Sequence, residues 1–252
     1  MAELRRLLIA PQRLQSAGSV LLLNQQERHY VRRVLRLRPG QDLAIVDGEG
    51  HLWTAQLLDG EQLTLQQPLA EPLQSVPSPT PMLGLAVVGV RRGMDDLMRM
   101  ACELGIDRIQ LLSSQWRTPQ AEDRPDRWQT ILDEAVEQCE RLWRPQLLPT
   151  REVFDWWDQP GSLAIKGLAT TRQDALAGLD RWLQETTHAT GSLVPAEVWV
   201  AIGPEAGWTN DEKNEALRNG WVPIQLGRTI LRTSTAAVAA ATLLTNWRSA
   251  LE

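Results

Sequence analysis

Two short stretches near the end of the sequence combine glycines with residues that suit an anionic or aromatic ligand. The first reads "IGPEAGWT" and carries Gly203, Pro204, Glu205 and Gly207. The second reads "LGRTILRTSTA" and carries Leu226, Gly227, Arg228, Ile230, Leu231 and Arg232. Glycine lets a backbone approach a ligand closely, and arginine offers a planar fork of donors to a phosphate or another anion. These stretches are the strongest candidates for a binding site.

Each stretch lies between an apolar run and a helical pattern. The run 197–203 precedes the first stretch, and Thr209 with Glu212 predicts a capped helix after it. The run 221–226 precedes the second stretch, and a long apolar helix is predicted from Thr235. Ligands bind beyond the carboxyl ends of strands in open α/β sheets, and helix N-termini favour anions. We therefore expect both loops to face one crevice, although ordinary strand–helix turns with surface arginines fit the same pattern.

A third stretch, "ERHYVRRVLRLRPG" at 27–40, concentrates positive charge. It contains five arginines and no acidic residue between the first and the last of them, namely Arg28, Arg32, Arg33, Arg36 and Arg38. A helix from Gln25 to Leu37 would bury Val31, Val34 and Leu35 and expose the arginines. The absence of interleaved carboxylates favours phosphate binding over a merely solvated helix face.

Composition excludes several classes of protein. The chain has 252 residues and a net charge of −5, which argues against nucleic-acid binding over its whole surface. No P-loop, G-x-G-x-x-G or catalytic triad pattern is present, and three scattered histidines indicate no metal site. Cys102 and Cys139 are expected to be buried and reduced. No apolar run reaches about 18 residues, so we expect a cytoplasmic protein without a membrane span.

The elements that position these residues fall into two predicted domains. Prolines in "SVPSPTP" at 75–81 indicate a linker. Residues 1–75 carry short strand patterns that predict a small β-barrel, at 19–23, 42–47, 51–58 and 62–67. Residues 82–252 alternate strands at 82–89, 109–112, 197–203 and 221–226 with helices at 94–104, 127–143, 174–185 and 210–219. This alternation predicts an α/β domain with a mostly parallel sheet.

Four motifs together resemble a known family. "RHYVRRVLRLRPGQDLAIVDGEG", "MDDLMRMACELGIDRIQLL" followed by "EAVEQCER", "IGPEAGWT" and "LGRTILRTSTA" are similar, in that order, to signatures of the bacterial 16S ribosomal RNA uridine N3-methyltransferases of the SPOUT superfamily. The resemblance covers almost the whole chain. The sequence departs from the family at Ala206, where a second glycine is usual, at Ser234, where glutamate is common, and at 113–117, which lacks a usual acidic residue.

The resemblance implies a fold, a cofactor and partners. It implies a PUA-like β-barrel at 1–75 that helps to hold RNA, and a SPOUT α/β domain at 82–252 with a deep trefoil knot. The cofactor would be S-adenosylmethionine and the substrate 16S ribosomal RNA or the small ribosomal subunit. The protein would be a homodimer. Alternatives are an RNA-binding protein of the same fold with little activity and a methyltransferase that acts on another RNA.

The resemblance also assigns roles to residues. The cofactor would be bound by Gly203, Pro204, Glu205, Gly207, Leu226, Gly227, Ile230 and Leu231. Arg232 would stabilise negative charge on the uridine, with a salt bridge at a subunit interface as the alternative, and Arg228 would do the same or bind a phosphate. The arginine-rich helix would bind the RNA backbone. Trp208 is equally suited to stacking on a base and to packing in the core.

Overall fold

The computed structural model of the protein describes residues 4–18, 20–59, 61–161, 163–171, 175–189 and 194–251. The chain divides into two compact units. The first comprises Met1–Ser78 and Asp133–Arg144, and the second comprises Pro79–Leu132 and Pro145–Glu252. The segment Asp133–Arg144 is a part of the first unit that lies far from residues 1–75 in the sequence.

The first unit is built around a six-stranded, mostly antiparallel sheet. Its elements are β1 Arg6–Leu8, α1 Pro11–Ala17, β2 Val20–Leu22, α2 Gln25–His29, a π-helical turn Tyr30–Val34, β3 Asp42–Val46, β4 His51–Leu57, β5 Gln62–Leu65 and β6 Gln74–Ser75. The strand order is β1-β3-β4-β5-β2, and β6 pairs with β4. Only β1 and β3 are parallel within this sheet.

The four strands predicted in the first unit all form, because alternating apolar residues bury one face of the sheet. Leu43, Ile45, Leu57 and Leu63 have no exposed surface. The sequence patterns miss β1, α1 and β6. β1 and β6 are only three and two residues long, so each contributes little to a sequence pattern. β6 also ends at Ser75, where the segment interpreted as a linker begins.

The helix predicted from Gln25 to Leu37 changes its geometry halfway. The Leu35 N–H donates a hydrogen bond to the Tyr30 carbonyl, five residues earlier, so the second half is a π-helical turn. Val31 is fully buried as predicted, but Val34 is 56% exposed. The prediction that Val34 packs in the core was wrong because the wider π turn rotates this position away from the spacing of an α-helix.

The second unit is an α/β sandwich with a six-stranded parallel sheet. Its elements are β7 Met82–Val88, α3 Met94–Glu103, β8 Arg108–Ser113, α4 Pro125–Cys139, β9 Gln146–Glu152, a 3-10 turn Val153–Asp155, β10 Ile165–Ala169, α5 Leu179–Ala189, β11 Glu197–Ile202, α6 Asn210–Arg218, β12 Val222–Ile224 and α7 Thr233–Ser249. The end of α4, from Asp133, belongs to the first unit. The strand order is β12-β10-β11-β7-β8-β9, and every adjacent pair is parallel.

The predicted α/β class is confirmed, with shifted boundaries. The helix predicted over 127–143 ends at Cys139 because Glu140 adopts a left-handed conformation with a φ of 62°. The helix predicted over 174–185 forms at Leu179–Ala189, and residue 174 lies outside the described residues. The sequence missed β9 and β10, which contain Pro149 and Lys166 in place of uniformly apolar residues.

Five tryptophans form the core on one side of the parallel sheet. Trp156, Trp157, Trp199, Trp208 and Trp221 contact one another, with ring centroids between 5.1 and 6.0 Å apart. Trp208 is 4% exposed and its Nε1 donates to the Ala169 carbonyl at 3.1 Å. Trp208 therefore packs in the core and is not exposed for stacking on a base. Neither cysteine forms a disulfide, but Cys139, at the end of α4, is only partly buried, contrary to expectation. No helix in the described ranges is long and apolar enough to cross a bilayer.

A partly buried carboxylate connects three elements of the first unit around the π-helical turn. Glu137, near the end of α4, accepts a hydrogen bond from the Leu8 backbone N–H at 2.8 Å and also bonds the Tyr30 hydroxyl. Burial raises the pKa of Glu137 from 4.5 to about 7, with smaller contributions from Asp133 and Glu134, although its two hydrogen bonds oppose the shift. Burial and Glu137 also raise the pKa of Tyr30 well above its usual range.

We expect the stability of Glu137→Gln, relative to that of the wild type, to increase as the pH rises. Because the folded-state pKa of Glu137 is raised, its ionisation costs stability between about pH 4.5 and about pH 7, and the cost is complete above that window. The difference in unfolding free energy between the variant and the wild type should grow by on the order of 3 kcal/mol across it. Urea titrations at several pH values measure this difference. A pH-independent difference, equal to that of the exposed control Glu71→Gln, would contradict the assignment.

Candidate ligand-binding site

A cavity of about 720 Å³ opens at the carboxyl ends of β10, β11 and β12. This volume lies in the usual range for a small-molecule site. The eight residues proposed to hold a cofactor all line it, namely Gly203, Pro204, Glu205, Gly207, Leu226, Gly227, Ile230 and Leu231. Arg228 lines it as well, whereas Arg232 is not among the lining residues. Two loops separated by about twenty residues therefore share one cavity, because parallel strands end at the same edge of a sheet.

The first loop, 203–207, follows β11 and keeps its backbone close to the cavity. A side chain at Gly203 would place its Cβ 3.0 Å from the Trp208 ring, so only glycine fits without displacing that indole. Gly207 has a φ of 82°, a conformation that favours glycine, and its N–H donates to the Pro204 carbonyl at 2.8 Å. The turn exposes Glu205 and Ala206 at the cavity surface.

The second loop, 226–231, has free backbone hydrogen-bonding groups. Within the described part of the chain, no backbone N–H or C=O of residues 226–231 is paired with another backbone group. Thr233, the first residue of α7, donates from Oγ1 to the Gly203 carbonyl at 3.0 Å and so joins the second loop to the first. Free amides beside apolar Leu226, Ile230 and Leu231 suit a ligand with both polar edges and apolar surface.

Arg228 within the second loop and Arg232 directly after it both point to solvent. Arg228 and Arg232 are both exposed, and neither forms a hydrogen bond or ion pair with another described residue through its side chain. Arg232 is the N-cap residue of α7, which begins at Thr233, two residues earlier than predicted. The guanidinium of Arg228 is therefore available to a ligand in the cavity, and that of Arg232 is available to a ligand outside the residues that line it.

Ser234 lies against another glycine. Its Oγ is 3.1 Å from the position that a Cβ on Gly93 would take, and Gly93 is the left-handed residue that precedes α3. This close approach explains a small side chain at position 234, since a longer one would meet the start of α3.

A buried carboxylate connects the first loop to a segment that sequence patterns did not assign to the site. Thr209 and Glu212 form the predicted capping box of α6, in which Glu212 Oε2 accepts from the Thr209 N–H at 2.7 Å. Glu212 has no exposed surface, and its Oε1 accepts from the Gln115 N–H at 3.0 Å. Gln115 precedes Trp116, which also lines the cavity. The sequence predicts the capping box of Thr209 and Glu212, but no sequence pattern predicts the hydrogen bond from the Gln115 N–H to Glu212.

The arginine-rich stretch lies in the first unit. Glu61, from the start of the β5 segment, lies 3.3 Å from Arg28 and 3.9 Å from Arg32. The carboxylate of Glu61, which is distant in sequence, therefore neutralises part of the positive charge of the arginine-rich stretch. Arg33, Arg36 and Arg38 are exposed.

Comparisons with known proteins decide the family. Residues 77–245 match the family described as "RNA methyltransferase domain", and residues 23–66 match the "RNA methyltransferase PUA domain". A protein of Synechocystis named ribosomal RNA small subunit methyltransferase E is 32% identical over 243 residues, which cover 93% of this chain and 75% of that protein. The chain belongs to this RNA methyltransferase family. The expected family membership and the PUA-like character of the first unit are thereby confirmed.

Further relatives of the methyltransferase agree with this membership. The protein of the same name from Rickettsia conorii is 29% identical over 232 residues, or 90% of each chain. The crystal structure of the Neisseria gonorrhoeae ribosomal RNA small subunit methyltransferase E, bound to S-adenosyl methionine, superposes with a TM-score of 0.76 at 25% identity, covering 97% of this chain and 98% of that one. A probable rRNA-methyltransferase from Porphyromonas gingivalis shares the fold, with a TM-score of 0.79 at 19% identity and coverage of 99% and 100%.

We expect Glu212→Gln to destabilise the second unit and loosen the segment that carries Trp116. An amide has one acceptor oxygen, so either the Thr209 N–H or the Gln115 N–H loses its partner and faces an NH₂ group instead. A buried donor left unpaired costs about 1–3 kcal/mol. Urea unfolding followed by tryptophan fluorescence measures this loss. Thr209→Ser keeps the capping hydroxyl and is the matched control. Equal stability of Glu212→Gln and the wild type would show that the second backbone hydrogen bond of Glu212 contributes nothing to stability.

Proposed function

We propose that this protein transfers a methyl group from S-adenosylmethionine to N3 of a uridine in small-subunit ribosomal RNA. The observation that carries the proposal is the cavity shared by the 203–207 and 226–231 loops in a chain that belongs to the RNA methyltransferase family. The name of the relatives supports ribosomal RNA as the substrate. The motif resemblance supports uridine N3 as the atom.

The residues of the cavity fit S-adenosylmethionine. The unpaired backbone groups of residues 226–231 could bond the polar edge of adenine, and Leu226, Ile230 and Leu231 could cover its faces. Gly203 and Gly207 line the same cavity, so the backbone of the first loop could contact the rest of the molecule. The related Neisseria structure is itself bound to S-adenosyl methionine. The bound cofactor would supply an activated methyl group on a positively charged sulfur.

The contribution of the protein to the reaction is position and charge. Uridine N3 carries a weakly acidic proton, and its lone pair becomes available only when that proton leaves. A fixed cation near the base would stabilise the resulting anion. Arg232 suits this role because it is a cationic side chain that is exposed and has no partner among the described residues. Arg228 would bind a phosphate that flanks the uridine.

The first unit would hold the RNA backbone. Arg28 and Arg32 lie near Glu61, but Arg33, Arg36 and Arg38 are exposed on the same segment and offer positive charge to phosphates. Contacts with phosphates supply affinity without reading the sequence.

We propose that the protein forms a homodimer through the second unit. We also propose that the α/β domain of this unit contains a trefoil knot. Val238, Ala239 and Leu243 of α7 remain partly exposed and could join a subunit interface. The chain leaves β12 at the edge of the sheet, and α7 then packs on the central strands β7 and β11 beside the 203–207 loop. A knot requires a return of this kind.

The proposed function predicts methylation by the purified protein. Incubation of small-subunit ribosomal RNA with the protein and S-adenosylmethionine should give N3-methyluridine, detected by mass spectrometry of digested nucleosides. Free 16S RNA and assembled small subunits should be compared as substrates. RNA that binds without gaining a methyl group would favour a binding protein of the same fold, and a different methylated nucleoside would overturn the assignment to N3.

We expect Arg232→Ala to slow methyl transfer much more than it weakens RNA binding. Loss of a preorganised charge beside the reacting group costs on the order of a hundredfold in rate. Arg232→Lys should restore part of the rate, and higher pH should partly rescue the alanine variant, because solvent then removes more of the N3 proton. Single-turnover rates at saturating RNA and cofactor measure the step. An unchanged rate would disprove the role, and dissociation into monomers would indicate an interface salt bridge.

A further inference from the structure

Trp116 differs from the other tryptophans of the chain in its exposure. Nine of the eleven tryptophans are buried and Trp143 is half-buried, whereas Trp116 is 47% exposed. Leaving this much of an indole in water forgoes burial of a large apolar surface. An exposed tryptophan of this kind therefore marks a surface that binds something.

The backbone on both sides of Trp116 is held in place. On one side the Gln115 N–H donates to the fully buried Glu212 carboxylate at 3.0 Å. On the other side the Arg117 N–H closes a turn onto the Ser114 carbonyl at 3.0 Å. The Arg117 guanidinium is fixed as well, by Asp123 at 2.6 Å and by the Ala121 carbonyl at 2.8 Å. The indole is thus presented from a preorganised turn, which lowers the entropy lost when a ligand packs on it.

The position of Trp116 distinguishes its ligand from the cofactor. Ile202, Trp208 and Thr233 line the cavity and are buried, so they form its floor. Trp116 lines the same cavity but has nearly half of its surface in solvent, so it lies at the rim. A nucleobase must enter from the solvent side, past this rim. Lys213 and Arg228 line the cavity too and offer positive charge to phosphates on either side of such a base.

We propose that Trp116 stacks on the uracil ring of the target uridine when that nucleotide is turned out of the RNA and into the cavity. This inference rests on the proposed function and names a positioning residue for it. Enzymes that modify a base within folded nucleic acid extrude it and hold it against aromatic side chains. Stacking would orient N3 toward the reacting methyl group. Because every base has a π-face, Trp116 provides position and affinity, and it leaves recognition of uracil to polar groups.

The test compares Trp116→Ala and Trp116→Phe with a matched control. Phe154 is 52% exposed in the same unit and does not line the cavity, so Phe154→Ala removes an exposed aromatic ring elsewhere. Trp116→Ala should raise the RNA concentration that half-saturates methyl transfer by about five- to a hundredfold. Trp116→Phe should stay close to the wild type, as should Phe154→Ala. Calorimetric affinity for S-adenosylmethionine should be the same in all four proteins.

Several results would overturn the proposal. An unchanged RNA dependence in Trp116→Ala, while the wild type methylates, would show that the indole does not contact the base. Weaker cofactor binding in Trp116→Ala would place the ring on the cofactor instead, and a smaller mass by light scattering would place it in a subunit interface. If the wild type transfers no methyl group, the proposed function is wrong, but this result does not decide the stacking proposal. Binding of small-subunit ribosomal RNA by the wild type and Trp116→Ala then decides the stacking proposal, and equal affinity would overturn it.

Discussion

The parallel order of the second sheet is the constraint on which the site depends. Because β10, β11 and β12 run in the same direction, the loops that follow β11 and β12 leave the same edge of the sheet. The Thr233 hydroxyl then joins the two loops by a hydrogen bond to the Gly203 carbonyl. An antiparallel β12 would send the 226–231 loop to the opposite edge and remove this loop from the cavity lining.

Two carboxylates, the buried Glu212 and the partly buried Glu137, organise the two units in different ways. Glu212 serves a cap and a neighbouring segment at once, so the start of α6 and the turn at Trp116 are positioned by one side chain. Glu137 joins α4 to β1 and to the π-helical turn, and its burial raises its pKa to about 7. Glu212 accepts hydrogen bonds from two backbone N–H groups, whereas Glu137 accepts from one backbone N–H and bonds one side-chain hydroxyl.

The unusual tryptophan content has a structural explanation for most of its members. Five indoles pack on one side of the parallel sheet, and Gly84 makes room there, since a Cβ at Gly84 would lie 2.3 Å from the Trp199 ring. Trp208 belongs to this cluster although it follows the glycine-rich loop directly. The buried Trp208 ring packs against Gly203 of the 203–207 loop. Among the tryptophans that line the cavity, Trp116 is the exposed one.

The sequence by itself determined the α/β alternation, most of the strands, the capping box of α6 and the two loops that share the cavity. These features depend on local periodicity and on glycine chemistry, which are readable in any short window of the chain. Only the tertiary structure decided that Val34 faces solvent, that Glu61 lies beside Arg28 and Arg32, and that Glu212 reaches Gln115. The exposure of Val34 depends on a π-helical turn. The other contacts join residues that are 29, 33 and 97 positions apart, which no local pattern encodes.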